Sequence, residues 1–151
     1  MLASEALKLR LVGEPMAKCR VFAIDDNLKE VVPHGLYSKH LFGTRVSVSV
    51  VKFVTPQGPY VQAKSHSHGE EASLQLKGAC SVFVGSGTSP ADPEYPMEQG
   101  AAMLIPAQVA HYGSNRFSEE GVCLRLNVVT PPREEFGPED STPYYPLKER
   151  A

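Results

Sequence analysis

The chain has 151 residues, with 15 lysines and arginines against 17 aspartates and glutamates. That length suits one domain with a real core, and the near-neutral charge gives no electrostatic reason to expect nucleic acid or an anionic membrane surface as a partner. Glu5, Lys8 and Arg10 interrupt the apolar N-terminal stretch and no apolar run approaches bilayer length, so the sequence predicts a soluble, cytoplasmic protein.

Taken in chain order, Ala3 to Val12 reads as one short helix, and everything after it as short strands between turn residues. Val21 to Ile24 is a candidate strand. Arg45 to Val54 (RVSVSVVKFV) alternates valine with serine at the period of a strand. Thr55 to Pro59 is a turn by composition. Strands are then expected at Tyr60 to His68, Ala72 to Lys77 and Ala79 to Val84. Gly85 to Pro96 reads as a loop, Ala101 to Ile105 as a short apolar strand stopped by Pro106, and Gly121 to Thr130 as the last strand. The pattern predicts an all-β barrel or sandwich in a single domain spanning 1–151. Within it, 1–44 reads as an N-terminal arm, 45–130 as the barrel and 131–151 as a wrap over the surface. Cys19, Cys80 and Cys123 are widely spaced, form no CxxC pair and read as reduced packing residues.

The chemistry-bearing stretch is SHSHGEEASLQLKG, Ser65 to Gly78. His66 and His68 lie two apart, so on a strand they share a face, where neutral imidazole nitrogens can share a metal ion. Taken alone, the HxH pair reads more readily as two exposed or hydrogen-bonded histidines. A carboxylate ligand would come from Glu71 or Glu70: on a straight strand Glu70 shares the face of His68, whereas a bend at Gly69 turns Glu71 towards it. A second cluster, GAAMLIPAQVAHYGSN, carries Gly100, Pro106, His111 and Asn115.

Together these two stretches resemble the paired motifs of the cupin superfamily. The first of those runs roughly glycine, HxH, glutamate, glycine; the second runs glycine, PxG, histidine, asparagine. Glu71 and Gly78 keep the spacing of the first motif, while Tyr60 or Val61 stands where its leading glycine is common. Gln108 replaces the glycine of the second. The resemblance covers roughly residues 45 to 130. It implies a cupin double-stranded β-helix (jelly-roll) barrel with a short N-terminal extension, in which His66, His68, Glu71 and His111 hold one divalent transition metal. The ligand set suits Fe, Mn, Ni, Zn or Cu. His34 and His40 read as surface or packing histidines, and Asn115 as a turn cap. Tyr112 reads either as a residue at the pocket mouth or as packing.

The last strand places Cys123, Arg125, Asn127 and Val129 on one face, opposite Val122, Leu124, Leu126 and Val128. The polar face is either solvated or lines the site. A narrower resemblance favours the second reading. Small cupins acting on unsaturated uronates end their barrel with D-x-F-S-P-P-R, and the matching positions here are Asn127, Val129 and Arg133. Asparagine cannot act as the base that aspartate would be, but Arg133 keeps the planar fork that grips a carboxylate. Gln75 and Gln62 are further candidates for pocket polarity. The leading expectation is a metal-dependent enzyme acting on a small oxygen-rich substrate, carboxylate or sugar-acid-like, as a dioxygenase or an isomerase/lyase. Arg133, Arg125, Asn127, Gln75 and Tyr112 would contact that substrate. The alternative is a non-catalytic ligand-binding or sensing cupin whose metal is structural. A homodimer is the expected assembly.

Overall fold

The computed structural model describes residues 23–33, 35–54, 63–116 and 122–133. The helix expected at Ala3 to Val12, His34, Cys19, Gln62, the turn at Thr55 to Pro59 and residues 134–151 of the expected wrap lie outside them. Among the described residues there are nine strands and no helix. They are β1 (Lys29–Val32), β2 (Leu36–Phe42), β3 (Ser47–Val54), β4 (Glu70–Lys77), β5 (Ala79–Val84), β6 (Glu94–Met97), β7 (Ala102–Ile105), β8 (His111–Arg116) and β9 (Val122–Thr130).

Every pairing is antiparallel. One sheet has the order β1-β2-β3-β9-β4-β7 and the other β6-β5-β8. Neighbours that are distant in sequence, such as β3 with β9 and β5 with β8, make the crossing pattern of a jelly roll. Gly78, with φ of 64°, is the single residue between β4 and β5. A left-handed conformation there turns the chain from the large sheet to the small one within one residue, which a β-carbon would resist.

Register fixes what faces inward. Across the large sheet, Phe42, Ser47, Val129, Glu71 and Ile105 form one row; His40, Ser49, Asn127, Ser73 and Met103 form the next; Ser38, Val51, Arg125 and Gln75 a third; and Leu36, Phe53 and Cys123 a fourth. The fourth row packs on Cys80, Val82 and Met97 of the small sheet, and this is the apolar core. The first three rows carry the polar groups.

The structure departs from the expected elements in instructive ways. β1 and β2 lie in the stretch read as an arm and are strands of the large sheet. LYSKHLF in β2 shows no alternation in sequence, because both its faces are covered: five of its seven residues are buried. Ala23 and Ile24, read as the end of a strand, lie in a coil and a turn. The described part of the strand expected at Tyr60 to His68 is irregular, touching β8 through an isolated bridge between His66 and His111. β6 emerges from the expected loop; its Pro96 is tolerated because β6 is an edge strand. No helix among the described residues is long and apolar enough to cross a membrane.

Candidate metal centre

The three motif histidines meet at one place. His66 and His111 face each other across a two-way backbone bridge, with N–O distances of 3.0 and 2.9 Å. Their ring centroids lie 4.5 Å apart, and His68 sits 5.3 Å from His66 and 4.9 Å from His111. One ligand nitrogen from each falls within 4.8 Å of the others.

The free direction of each ring is set by its other nitrogen. His66 Nδ1 lies 2.8 Å from the carbonyl of Lys64, His68 Nδ1 2.9 Å from that of Gly69, and His111 Nδ1 2.9 Å from that of Val109. A carbonyl only accepts, so each Nδ1 carries the hydrogen and each Nε2 is left with a lone pair. Burial, with Arg133 nearby, pushes His66 down to about 3, and burial lowers His111. Both rings are therefore neutral at physiological pH. Metal-ligating histidines recur with this arrangement of an outer hydrogen bond to a carbonyl.

Glu71 completes the group. It is 2 % exposed, while Glu70 beside it points to solvent. Glu71 Oε2 lies 3.0 Å from His68 Nε2 and 3.8 Å from His111 Nε2. At 3.0 Å a proton or a metal ion has to lie between Glu71 Oε2 and His68 Nε2, and His68 Nε2 is buried and reached by no other hydrogen-bond donor among the described residues. Burial alone would raise the Glu71 carboxyl. Contact with His68, the charge of Arg125, the Ser73 hydroxyl and His111 outweigh it and hold the group at about 2. Two residues before it, Gly69 runs so close to the Thr130 carbonyl and the Pro131 ring that a β-carbon there would clash with both. The donor set, three imidazoles and one carboxylate, suits a divalent transition metal.

The surroundings are polar. Ser73 Oγ lies 2.5 Å from Glu71 Oε1 and 3.1 Å from the Asn127 side-chain oxygen position. The single hydroxyl hydrogen goes to the shorter, charged contact, so the Asn127 amide is best turned with its NH2 towards Ser73. Asn127, Arg125 and Arg133 are all buried, at 1, 5 and 7 % exposure, so the polar face of β9 is the inner one. The charge of Arg133 adds to burial in lowering both His40 and His66. Arg125 lies deeper, its guanidinium over Gly113, where a β-carbon would stand 3.1 Å from Nη2. The Gln75 amide is engaged by Lys77, Gly78 and both inner cysteines rather than by the histidine cluster. Tyr112 follows His111 on β8 and points the other way; its ring stacks on Phe83 at 5.1 Å. Asn115, read as a turn cap, instead lies within β8, buried, and donates to the Val54 carbonyl.

One residue near the site was missed from sequence. His40, read as surface or packing, is 5 % exposed on the inner face, in the same row as Asn127 and Ser73, with Nε2 3.3 Å from Ser38 Oγ. Burial, then Arg133, holds it neutral down to about 3. The signal lay in Ser38-Lys39-His40, where i and i+2 share a face, but only the pairing with β3 shows which face that is.

No protein-family model and no curated protein matches the chain. Solved structures do. An RmlC-like cupin from Shewanella frigidimarina superposes with a TM-score of 0.61 at 16 % identity, covering 80 % of this chain and 97 % of that one. KdgF from Halomonas sp. gives 0.56 at 17 % identity over 74 % of this chain and 94 % of its own. The iron(II) form of HppE gives 0.55 at 18 % identity over 74 % of this chain and 60 % of its own. The strand order, the paired sheets and these superpositions agree: the chain has the cupin fold.

Proposed function

We propose that the protein is a metal-dependent enzyme acting on a small, oxygen-rich, carboxylate-bearing substrate, with His66, His68, His111 and Glu71 as the ligands of one divalent ion. The observation that carries this reading is the convergence of three imidazoles whose Nδ1 atoms are each tied to a backbone carbonyl, beside a carboxylate held ionised. An ion bound there supplies Lewis acidity and, if it is iron, manganese or copper, redox chemistry of the dioxygenase type.

The chain's own residues set the substrate class. Arg133 offers a buried guanidinium beside the histidines and orients a carboxylate. Asn127 and Ser73 form a hydrogen-bonded wall next to Glu71, and Ser73 fixes the orientation of that carboxylate. With asparagine in place of a carboxylate at 127, the imidazole of this wall that is not a proposed metal ligand is His40, in the row of Asn127 and Ser73. An isomerase/lyase version would have to route its proton transfer through His40 or water, and dioxygenase chemistry needs no such base at position 127. The structural likeness to an iron(II) protein and to KdgF supports, at the level of fold, a metal-centred reading.

Metal analysis of protein purified without chelator, with mass spectrometry of any co-purified small molecule, is the direct test. About one divalent ion per chain in the wild type, and a clear loss in His111→Ala, is the expected result; full stoichiometry in both His66→Ala and His111→Ala overturns the ligand assignment. Equal turnover in strictly anaerobic buffer removes the dioxygenase version. Recovery of an unaltered ligand, with no turnover of it, moves the assignment to a binding protein.

A further inference from the structure

The free edges of the two sheets are not protected alike. An edge strand presents unpaired N–H and C=O groups, and folded chains blunt it with charge, proline or a covering segment. The edge strands here are β1 and β7 of the large sheet and β6 and β8 of the small one. β1 (KEVV) carries Lys29 and Glu30, both exposed. β6 (EYPM) carries Glu94 and Pro96. β8 is covered by the stretch leading to His66, through hydrogen bonds between Ala63 and Gly113 and between His66 and His111. β7 (AMLI) has neither charge nor proline, and β4 is its sole strand partner among the described residues.

The phase of the pairing with β4 decides which groups of β7 are free. Gln75 N–H donates to the Ala101 carbonyl at 2.9 Å. Bonded positions alternate along an antiparallel ladder, so Met103 and Ile105 bond to β4 while Ala102 and Leu104 turn their N–H and C=O groups outward. The side chains of those two residues are exposed, Leu104 at 73 %. They end two apolar rows on the outer face: Val48, Val128, Ala72 and Leu104, and Val50, Leu126, Leu74 and Ala102. The segment that covers this face begins far from β7. Ala23 and Asp26 are held by Lys39 on β2, four strand spacings or about 19 Å away.

We propose that β7 is the edge through which two copies of this chain pair, antiparallel, joining their six-stranded sheets side by side. With the two-fold axis at Met103, Ala102 of each copy lies opposite Leu104 of the other, and the outward N–H and C=O groups of both pairs bond to each other. A residue on a two-fold axis meets itself. Methionine there brings no like-charge repulsion, and at the seam each leucine stands beside an alanine. The row that ends at Leu104 then runs on into the partner's Ala102, Leu74, Leu126 and Val50. Glu71 pairs with Ile105, so the assembly also buttresses the strand that carries that carboxylate. Four-residue strands bury less than the roughly 1,200 Å² of a standard interface, so the pairing is weak and grows with protein concentration.

Sedimentation velocity of the full-length protein from roughly 1 μM to 1 mM tests this. The mass should climb towards twice that of the chain. Leu104→Lys, at an exposed position, should hold it at the monomer throughout, while Glu30→Lys on β1 should leave the climb unchanged. The axis gives a second reading. Non-bonded antiparallel positions have α-carbons about 4.5 Å apart, within disulfide reach. In a Cys19→Ser background, Met103→Cys should therefore form a disulfide-linked dimer on mild oxidation and Glu30→Cys should not. A monomer at every concentration overturns the proposal, and so does a dimer that persists in Leu104→Lys and gives no cross-link at position 103. The cross-link decides the matter even if Leu104→Lys fails to fold.

Discussion

The two faces of the large sheet are built from the same strands and carry opposite chemistry. Ser47, Ser49, Glu71, Ser73, Gln75, Arg125 and Asn127 face inward and are buried. Their sequence neighbours Val48, Ala72, Leu74, Leu126 and Val128 face outward, and Leu74 and Leu104 are 39 and 73 % exposed. A half-buried antiparallel sheet ordinarily does the reverse, apolar in and polar out. Burying polar groups is tolerable when each finds a partner, and here the partners form chains that end on Glu71. The comparison teaches a division of labour along the barrel. The fourth row and its small-sheet partners are apolar, whereas the first two rows set Ser47, Glu71, His40, Ser49, Asn127 and Ser73 among Phe42, Val129, Ile105 and Met103.

The largest effect that would test this division is acid. His40 and His66 have folded values of about 3 against an ordinary 6.5, and Glu71 about 2 against 4.5. Both kinds of shift make the unfolded chain the better proton acceptor. Stability should therefore be full above pH ~6.5 and fall by several kcal/mol in the metal-free protein as pH drops towards ~3. Urea unfolding at stepped pH measures it; a flat profile between those limits would mean that the inner face is solvated rather than buried.

Consecutive glutamates sharpen the contrast next. Glu71→Gln should weaken metal binding by at least the roughly 10- to 100-fold that loss of an outer-shell partner costs, with Glu70→Gln near wild type, in a chelator competition assay. Equal losses from the two would erase the difference between faces. A stability contrast between ends and faces tests the apolar row directly. Leu36→Ala, in the apolar core, should cost about 2–5 kcal/mol, whereas Leu104→Ala on the outer face should stay within about 0.5 kcal/mol by denaturant titration. Smallest is Gln108, whose φ of 65° is left-handed. Gln108→Gly should stabilise the turn by about 0.5–1 kcal/mol, provided the weak 3.4 Å contact from its side chain to the His68 carbonyl matters little. An unchanged or lowered melting temperature would show that this contact offsets the strain.

Much of this was legible in the sequence. β3, β4, β5, β7 and β9 announce themselves by period two or by short apolar runs between turn residues. The spacing of Gly100, Pro106, His111 and Asn115 shows the second cluster even without a glycine at 108, because the left-handed turn survives with glutamine. The inner side of each strand was not legible. Alternation gives two faces and not which one is inside, and the usual preference for apolar interiors points the wrong way in β9 and β4. β8 (HYGSNR) hid for the same reason: it is a polar strand whose inward residues serve the site. His40 could not be placed without β3 beside it, and Tyr112 was drawn to the pocket only by adjacency to His111, although neighbours on a strand point apart.

At Gly69 the entry to β4 passes so close to the Thr130 carbonyl and the Pro131 ring that no side chain fits between them. Two positions on from this crossing in one strand is Glu71, and three on from Thr130 is Arg133. The crossing acts as a rivet: a displacement of either segment would carry the acidic and the guanidinium group together. Under the proposed function, carboxylate binding by Arg133 would be mechanically linked to the ligand Glu71, and an enlarging substitution at position 69 would disturb the placement of both side chains at once.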